Sequence, residues 1–171
     1  LGTIGNGMFG ALEKSTHTTL DAVHLQAMLA GFHVDGAKAV AMEASSHGLV
    51  QGRLNGTSID VALFTNLTRD HLDYHGDMTA YASAKEVLFR WPGLRAAVLN
   101  ADDEAGGRYA AVLAKDVRCL RYSQFADVQA DIRALQVTPS LKGLSMLIAV
   151  PDGEFVLDVP LLGRFNVSNI L

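Results

Sequence analysis

Apolar positions first recur at helical spacing in Leu25, Met28, Leu29 and Phe32, which mark one face of a helix. Thr18 or Thr19 stands where a helix cap would, Asp21 suits the first turn, and Gly36 falls in the turn that follows. Two short apolar runs, Ala37–Met42 and Ile59–Phe64, read as buried strands, the second rich in β-formers. Helical spacing returns over Thr79–Phe89, where Tyr81, Ala84 and Leu88 share a face, until Pro92-Gly93 breaks it. Ala96–Leu99 predicts a third strand, Glu104–Ala114 a helix and Val117–Tyr122 a fourth strand. Strands alternating with helices imply right-handed crossovers and a parallel sheet.

The period changes after Ser123. Ile132–Thr138, Leu144–Val150 and Glu154–Val159 alternate or run as strands, with Lys142-Gly143 and Pro151-Asp152-Gly153 as turns. The expected fold class is α/β: a three-layer, mostly parallel sheet flanked by helices, with a small antiparallel sheet appended. Residues 1–16 are Gly-rich and predict a loop. Gly5-Asn6-Gly7-Met8-Phe9-Gly10 matches the G-x-G-x-x-G string, but the Leu1–Ile4 stretch before it, broken by Gly2, is a poor strand, so a dinucleotide fold is not expected.

Composition narrows the function classes. A chain of 171 residues fits one domain with a sizeable core. A net charge of -4 gives no footprint for nucleic acid. Cys119, the single cysteine, excludes an internal disulfide and any multi-cysteine metal site; it suits a reducing cytoplasm and reads as a core residue. No apolar run reaches the roughly 18 residues of a membrane helix. The chain begins at Leu1 rather than Met and stops at Leu171, just as Asn166–Leu171 takes on a helical pattern, which predicts a piece of a longer protein.

The candidate chemistry lies where two apolar runs end. Glu43 follows the first, with Ser45-Ser46-His47-Gly48. It is either satisfied by the backbone amides of the Ser45-Ser46 turn or a ligand for a hard cation, since Mg²⁺ takes oxygen donors and keeps waters and phosphates. The second run leads into Asn66-Leu67-Thr68-Arg69-Asp70-His71-Leu72-Asp73-Tyr74-His75-Gly76. His71 and His75, four apart, could share a helix face and a zinc ion, but H-E-x-x-H is absent. Lys85 is an ordinary surface lysine or an amine tuned by a metal site. Asn100-Ala101-Asp102-Asp103 fits a helix cap, with a nucleotide role for Asn100 not demanded.

Three strings together resemble the central domain of the Mur ligases, a P-loop-type α/β fold. They are Met42-Glu43-x-Ser45-Ser46-His47-Gly48-Leu49-x-Gln51-x-Arg53, Phe64-Thr65-Asn66 continued through Gly76, and Tyr81-x-x-Ala84-Lys85. The likeness runs to Leu162-Gly163-Arg164-Phe165-Asn166-Val167-x-Asn169 and covers residues 1–171 as one central domain. It implies an ATP-dependent amide ligase of peptidoglycan synthesis and cell-wall biogenesis, cytoplasmic and monomeric, of the diaminopimelate-adding branch. ATP would phosphorylate the D-glutamate carboxylate of a UDP-MurNAc-dipeptide, and the amine of diaminopimelate would attack the acyl phosphate.

By position, the resemblance assigns Glu43, His71 and Lys85 to Mg²⁺, with His71 and Lys85 catalytic and Lys85 carried as N6-carboxylysine. It assigns Thr18, Thr19, Ser45, Gln51 and Arg53 to the UDP-muramoyl-peptide, and Asn166 to the adenine side of ATP. His17 stands where the family often has Asn, and Ala44 where it often has Val. The family's phosphate loop and uridine-nucleotide domain are expected before Leu1 and its amine-recognising domain beyond Leu171, so this piece alone is expected to be inert. The alternatives are a lysine-adding or folylpolyglutamate-type ligase, a non-catalytic sugar-nucleotide module, and a zinc hydrolase built on His71 and His75.

Overall fold

A computed structural model describes residues 1–171. The chain divides into two compact units: Leu1–Ser58 with His71–Leu88, and Ile59–Asp70 with Phe89–Leu171.

The second unit is a mixed six-stranded sheet whose strands lie in chain order: β3 (Val61–Phe64), β4 (Ala96–Asn100), β5 (Arg118–Ser123), β6 (Ile132–Ser140), β7 (Gly143–Val150) and β8 (Gly153–Val159). β3 to β6 pair in parallel, in register from Val61 opposite Ala96 and Ala96 opposite Arg118. β6, β7 and β8 pair antiparallel, with an irregularity between Ala134 and Gln136. The antiparallel strands therefore continue the parallel sheet edge to edge. Each was foreseen from its own alternation to within two residues.

Alternate residues Ala97 and Leu99 of β4 are fully buried. In β3 only Ala62 and Phe64 are buried, while Val61 and Leu63 stay more than half exposed. The strand expected at Ile59–Phe64 is thus present as Val61–Phe64 and buried on one face. The predicted Glu104–Ala114 helix is α5 (Glu104–Ala110), and Asp103 caps it by accepting from the Ala105 N–H at 2.9 Å. Gly106 lets this helix lie against β4, because a Cβ there would collide with the Asn100 carbonyl oxygen. Tyr109 stacks on Phe89 at 4.7 Å and meets Phe64 edge-on at 4.9 Å. A second core gathers Ala134, Leu144, Met146 and Ile148 with Val167 of α6 (Asn166–Ile170). Burial pushes the Cys119 thiol up, with Asp131 adding to and Arg121 opposing the effect, as suits an inert, half-buried cysteine.

The first unit holds more irregular backbone. Where a Gly-rich loop was expected, β1 (Asn6–Met8) and β2 (Ala11–Glu13) form an antiparallel hairpin. No helix follows the glycines, as the discounted dinucleotide reading required. Helix α1 (Ala22–Val34) buries Leu25 and Phe32. Its cap is Asp21, which accepts from Val23 and His24, rather than Thr18 or Thr19. Ala37–Met42 is not a strand but an irregular, largely exposed segment. Its backbone pairing is with Leu1, through the Leu1 amine to the Ala41 carbonyl and the Glu43 N–H to the Leu1 carbonyl, both at 2.9 Å. Three helices complete the unit: α2 (Ser46–Val50), α3 (Leu72–His75) and α4 (Met78–Phe89), the last contributing buried Tyr81 and Ala84.

Candidate functional site

The candidate residues of the first unit are held by side chains bonded to distant backbone. Thr19 is central and only 3% exposed. Its hydroxyl donates to the Glu43 carbonyl at 2.7 Å and accepts from the Ser45 N–H at 2.9 Å, which fixes both sides of Ala44. Its own carbonyl accepts from Arg53 Nη1 at 2.8 Å. With its hydroxyl so committed, Thr19 acts as the bracket of the site. The Ser45 hydroxyl accepts from the Gly48 N–H at 3.1 Å and so caps α2. Gly48 is required here, because a Cβ would come within 2.8 Å of the Thr19 methyl.

Arg53 and Gln51 form the next layer. Arg53 Nε and Nη2 both donate to Gln51 Oε1, at 2.8 and 2.6 Å. With the bond to Thr19 this uses three of the guanidinium's five N–H donors and leaves two for a carboxylate or phosphate. Gln51 Nε2 in turn donates to the Tyr74 hydroxyl at 3.3 Å. The Tyr74 ring lies 4.1 Å from His47, and His47 meets His71 edge-on at 4.9 Å. His71 and Lys85 converge on one ring, Tyr81: the imidazole centroid is 6.0 Å away and Lys85 Nζ 5.2 Å. Aromatic contacts thus connect the Gln51–Arg53 pair to the His71–Lys85 pair.

Glu43 is not satisfied by the Ser45-Ser46 amides. Both carboxylate oxygens are held by Thr3: Oε1 accepts its backbone N–H and Oε2 its hydroxyl, each at 2.9 Å. Since the Thr3 proton goes to the carboxylate, the 3.1 Å contact between the Thr3 and Thr18 hydroxyls has Thr18 as donor. The Thr18 oxygen is left as an acceptor. Glu43 forms no ion pair with a protein cation. Its two bonds leave two of roughly four lone-pair directions open, as an oxygen ligand for a hard cation needs.

His71 has φ 54° and is the sole non-glycine residue with positive φ. His tolerates this left-handed region better than most residues, yet the conformation still costs about 1–2 kcal/mol. Strain at a residue of the candidate set is the kind found at working sites. His75 takes another role: its Nε2 lies 2.9 Å from the Ser46 hydroxyl and its ring stacks on Tyr81 at 5.2 Å. Burial, then the positive fields of His47, His71 and Lys85, hold its imidazole below the ordinary value, with Asp73 opposing. A His kept neutral against Ser46 is a packing partner. No three His, Cys, Asp or Glu side chains gather where they could hold a metal ion, so His71 and His75 do not form the four-ligand cage of a structural zinc. Mg²⁺ needs no such cage, since one or two protein groups plus waters and phosphates suffice.

In the second unit, Asn166 opens α6. Its amide donates to the Leu162 carbonyl at 2.8 Å, and its oxygen accepts from Asn169 at 3.3 Å. Asn100 is structural: Nδ2 donates to the Thr65 carbonyl at 2.7 Å and Oδ1 accepts from the Asp102 N–H at 2.9 Å, which ties the ends of β3 and β4. Sequence reasoning missed Thr3 and the contacts of His47 and Tyr74. The glycines flanking Thr3-Ile4 hint at a tight turn, but nothing local points from Thr3 to a carboxylate forty residues on.

Known proteins resemble this chain over its whole length. Residues 1–171 match the Mur ligase middle domain. The chain is 51% identical over 171 residues to UDP-N-acetylmuramoyl-L-alanyl-D-glutamate--2,6-diaminopimelate ligase of Neisseria meningitidis serogroup A, an alignment covering 99% of this chain and 35% of that protein. It is 50% identical to the Pseudomonas aeruginosa protein of the same name, over 100% of this chain and 35% of the relative. A solved structure of a ligase of that name superposes with a TM-score of 0.90 at 42% identity, covering 99% of this chain and 35% of the other. The chain therefore spans about a third of the length of these relatives. It belongs to the Mur ligase family, whose middle domain it matches from end to end.

Proposed function

We propose that this chain is the ATP-binding middle domain of a cytoplasmic, monomeric ligase that joins meso-diaminopimelate to UDP-N-acetylmuramoyl-L-alanyl-D-glutamate in peptidoglycan synthesis. The observation that carries the reading is the network joining Thr18, Thr19, Glu43, Ser45, Gln51 and Arg53 within one unit. The 51% identity to a ligase of that name supports the choice of amine. Mg²⁺ and ATP, when bound, supply the phosphoryl group and the charge neutralisation that activate the D-glutamate carboxylate.

The chain's own residues prepare that step. Glu43 and His71 would hold Mg²⁺, the first as a carboxylate with open lone pairs and the second as an imidazole that shares the Tyr81 ring with Lys85. Lys85 serves as N6-carboxylysine. The ammonium first gives up one proton; CO₂ then adds to the neutral amine, an N–C bond forms and a second proton leaves, which turns a cation into an oxygen ligand. In its unmodified form the ammonium is stabilised by the Tyr81 ring, so the modification exchanges a cation–π contact for a metal contact. Arg53 offers its two spare N–H donors and Ser45 its hydroxyl proton to a substrate anion, while Thr18 offers its acceptor oxygen to a substrate N–H or O–H. Gln51 aims Arg53, and Thr19 fixes the backbone that carries Glu43. Asn166 faces the adenine.

The test is product mass spectrometry on the full-length protein with UDP-MurNAc-dipeptide, ATP, Mg²⁺ and either diaminopimelate or lysine. The diaminopimelate amide is the expected product. Preference for lysine would overturn the choice of amine, and no amide from either amine would overturn the ligase reading. The 171-residue chain alone should release no ADP under the same conditions; robust turnover would refute its dependence on the rest of the ligase.

A further inference from the structure

We propose that Thr3 is a positioning residue for the cation site: it aims the Glu43 carboxylate. The inference rests on the reading of Glu43 as a metal ligand and adds a residue that the motifs do not reach. Gly2-Thr3-Ile4-Gly5 is a tight turn closed by reciprocal backbone bonds between Gly2 and Gly5, at 3.2 and 3.1 Å. The Asn6 side chain steadies it by accepting from the Gly2 N–H at 3.1 Å. The turn lies directly on the Glu43 side chain, and a Cβ on Gly2 would collide with Oε1. Glycine at position 2 is thus what allows Thr3 to reach.

Thr3 then grips both carboxylate oxygens from one residue, backbone N–H to Oε1 and hydroxyl to Oε2, each at 2.9 Å. Two bonds from one rigid turn fix the plane of the carboxylate as well as its position. The main chain of Glu43 is fixed as well, its N–H on the Leu1 carbonyl and its C=O under the Thr19 hydroxyl. An exposed glutamate otherwise samples many rotamers, which a cation must order as it binds. Here that ordering is complete before any cation arrives. Groups that orient a metal ligand from behind typically matter 10–100-fold in metal affinity.

The experiment is Mn²⁺ binding to the full-length protein, read as free Mn²⁺ by electron paramagnetic resonance, with thermal melts alongside. Thr3→Val keeps the shape and the backbone N–H but removes the hydroxyl, and should raise the Mn²⁺ dissociation constant about tenfold. Thr3→Ser restores the hydroxyl and should bind within about twofold of the parent. Thr3→Ala serves as the second deletion and should match Thr3→Val. Glu43→Gln separates the two ideas. If it weakens Mn²⁺ while Thr3→Val and Thr3→Ala bind like the parent, Thr3 only anchors the turn and the proposal fails. If Glu43→Gln itself leaves Mn²⁺ binding unchanged, the metal-ligand reading of Glu43 fails first.

Discussion

Ile59–Asp70 and Phe89–Leu171 are organised by backbone ladders over an apolar core, whereas Leu1–Ser58 and His71–Leu88 are organised by side chains reaching for distant backbone. In the ladder unit, Ala97, Leu99, Tyr109 and Met146 are sealed from solvent, and polar side chains mostly cap or tie strand ends. In the other, Thr19, Arg53 and Thr3 each hold a main-chain or carboxylate group 24 to 40 residues away. Backbone ladders and apolar burial give rigidity at low sequence specificity. Side-chain brackets demand particular residues, and they position a carboxylate, a guanidinium and two hydroxyls more finely than a strand alone would.

The difference can be broken in four ways, from the largest effect down. Tyr109→Ala removes the ring shared by Phe64 and Phe89 and should cost about 3–5 kcal/mol in denaturant unfolding. Below its melting temperature it should leave Mn²⁺ and substrate affinities unchanged. Thr19→Val preserves volume but strands the Ser45 N–H and the Glu43 carbonyl, and should cost about 1–3 kcal/mol. Titration calorimetry should show that it also weakens binding of the UDP-MurNAc-dipeptide. If the two variants altered affinity alike, the contrast between units would be lost.

His71→Gly inverts the usual order of effects. Glycine accepts the left-handed backbone freely, so thermal stability should stay within about 1 kcal/mol of the parent while Mn²⁺ affinity falls. The smallest effect belongs to Asp21. The hydrogen bond with the His24 side chain, and then the His24 N–H, hold its carboxyl below the ordinary 3.8. Its contribution to α1 is therefore fully present above pH 3.8 and is lost as the pH falls through the lower folded value. Asp21→Asn should flatten that part of the stability profile and leave pH 6–8 unchanged.

The same contrast explains what the sequence discloses. In the ladder unit, period-2 runs such as Leu144–Val150 and turn residues such as Pro151-Asp152-Gly153 are local signals, and each element lies close to where its pattern puts it. In the other unit local signals mislead. Ala37–Met42 has the composition of a buried strand but is irregular and largely exposed. Thr18 and Thr19 resemble caps but serve Thr3 and Glu43, while Asp21 does the capping. The motif residues were legible as a set because family strings name them. Their holders, Thr3 above all, were not, since a hydrogen bond across forty residues leaves no local trace.

The most direct test of the account is ADP release by the full-length protein as a function of Mg²⁺, for the parent and for Glu43→Gln. A metal ion that neutralises developing charge contributes several kcal/mol, so loss of its carboxylate ligand in Glu43→Gln should lower kcat/KM by about a hundredfold or more and raise the Mg²⁺ needed for half-maximal rate. A variant that turned over at the parent rate with unchanged Mg²⁺ dependence would contradict the assignment of this network to cation-assisted ligation.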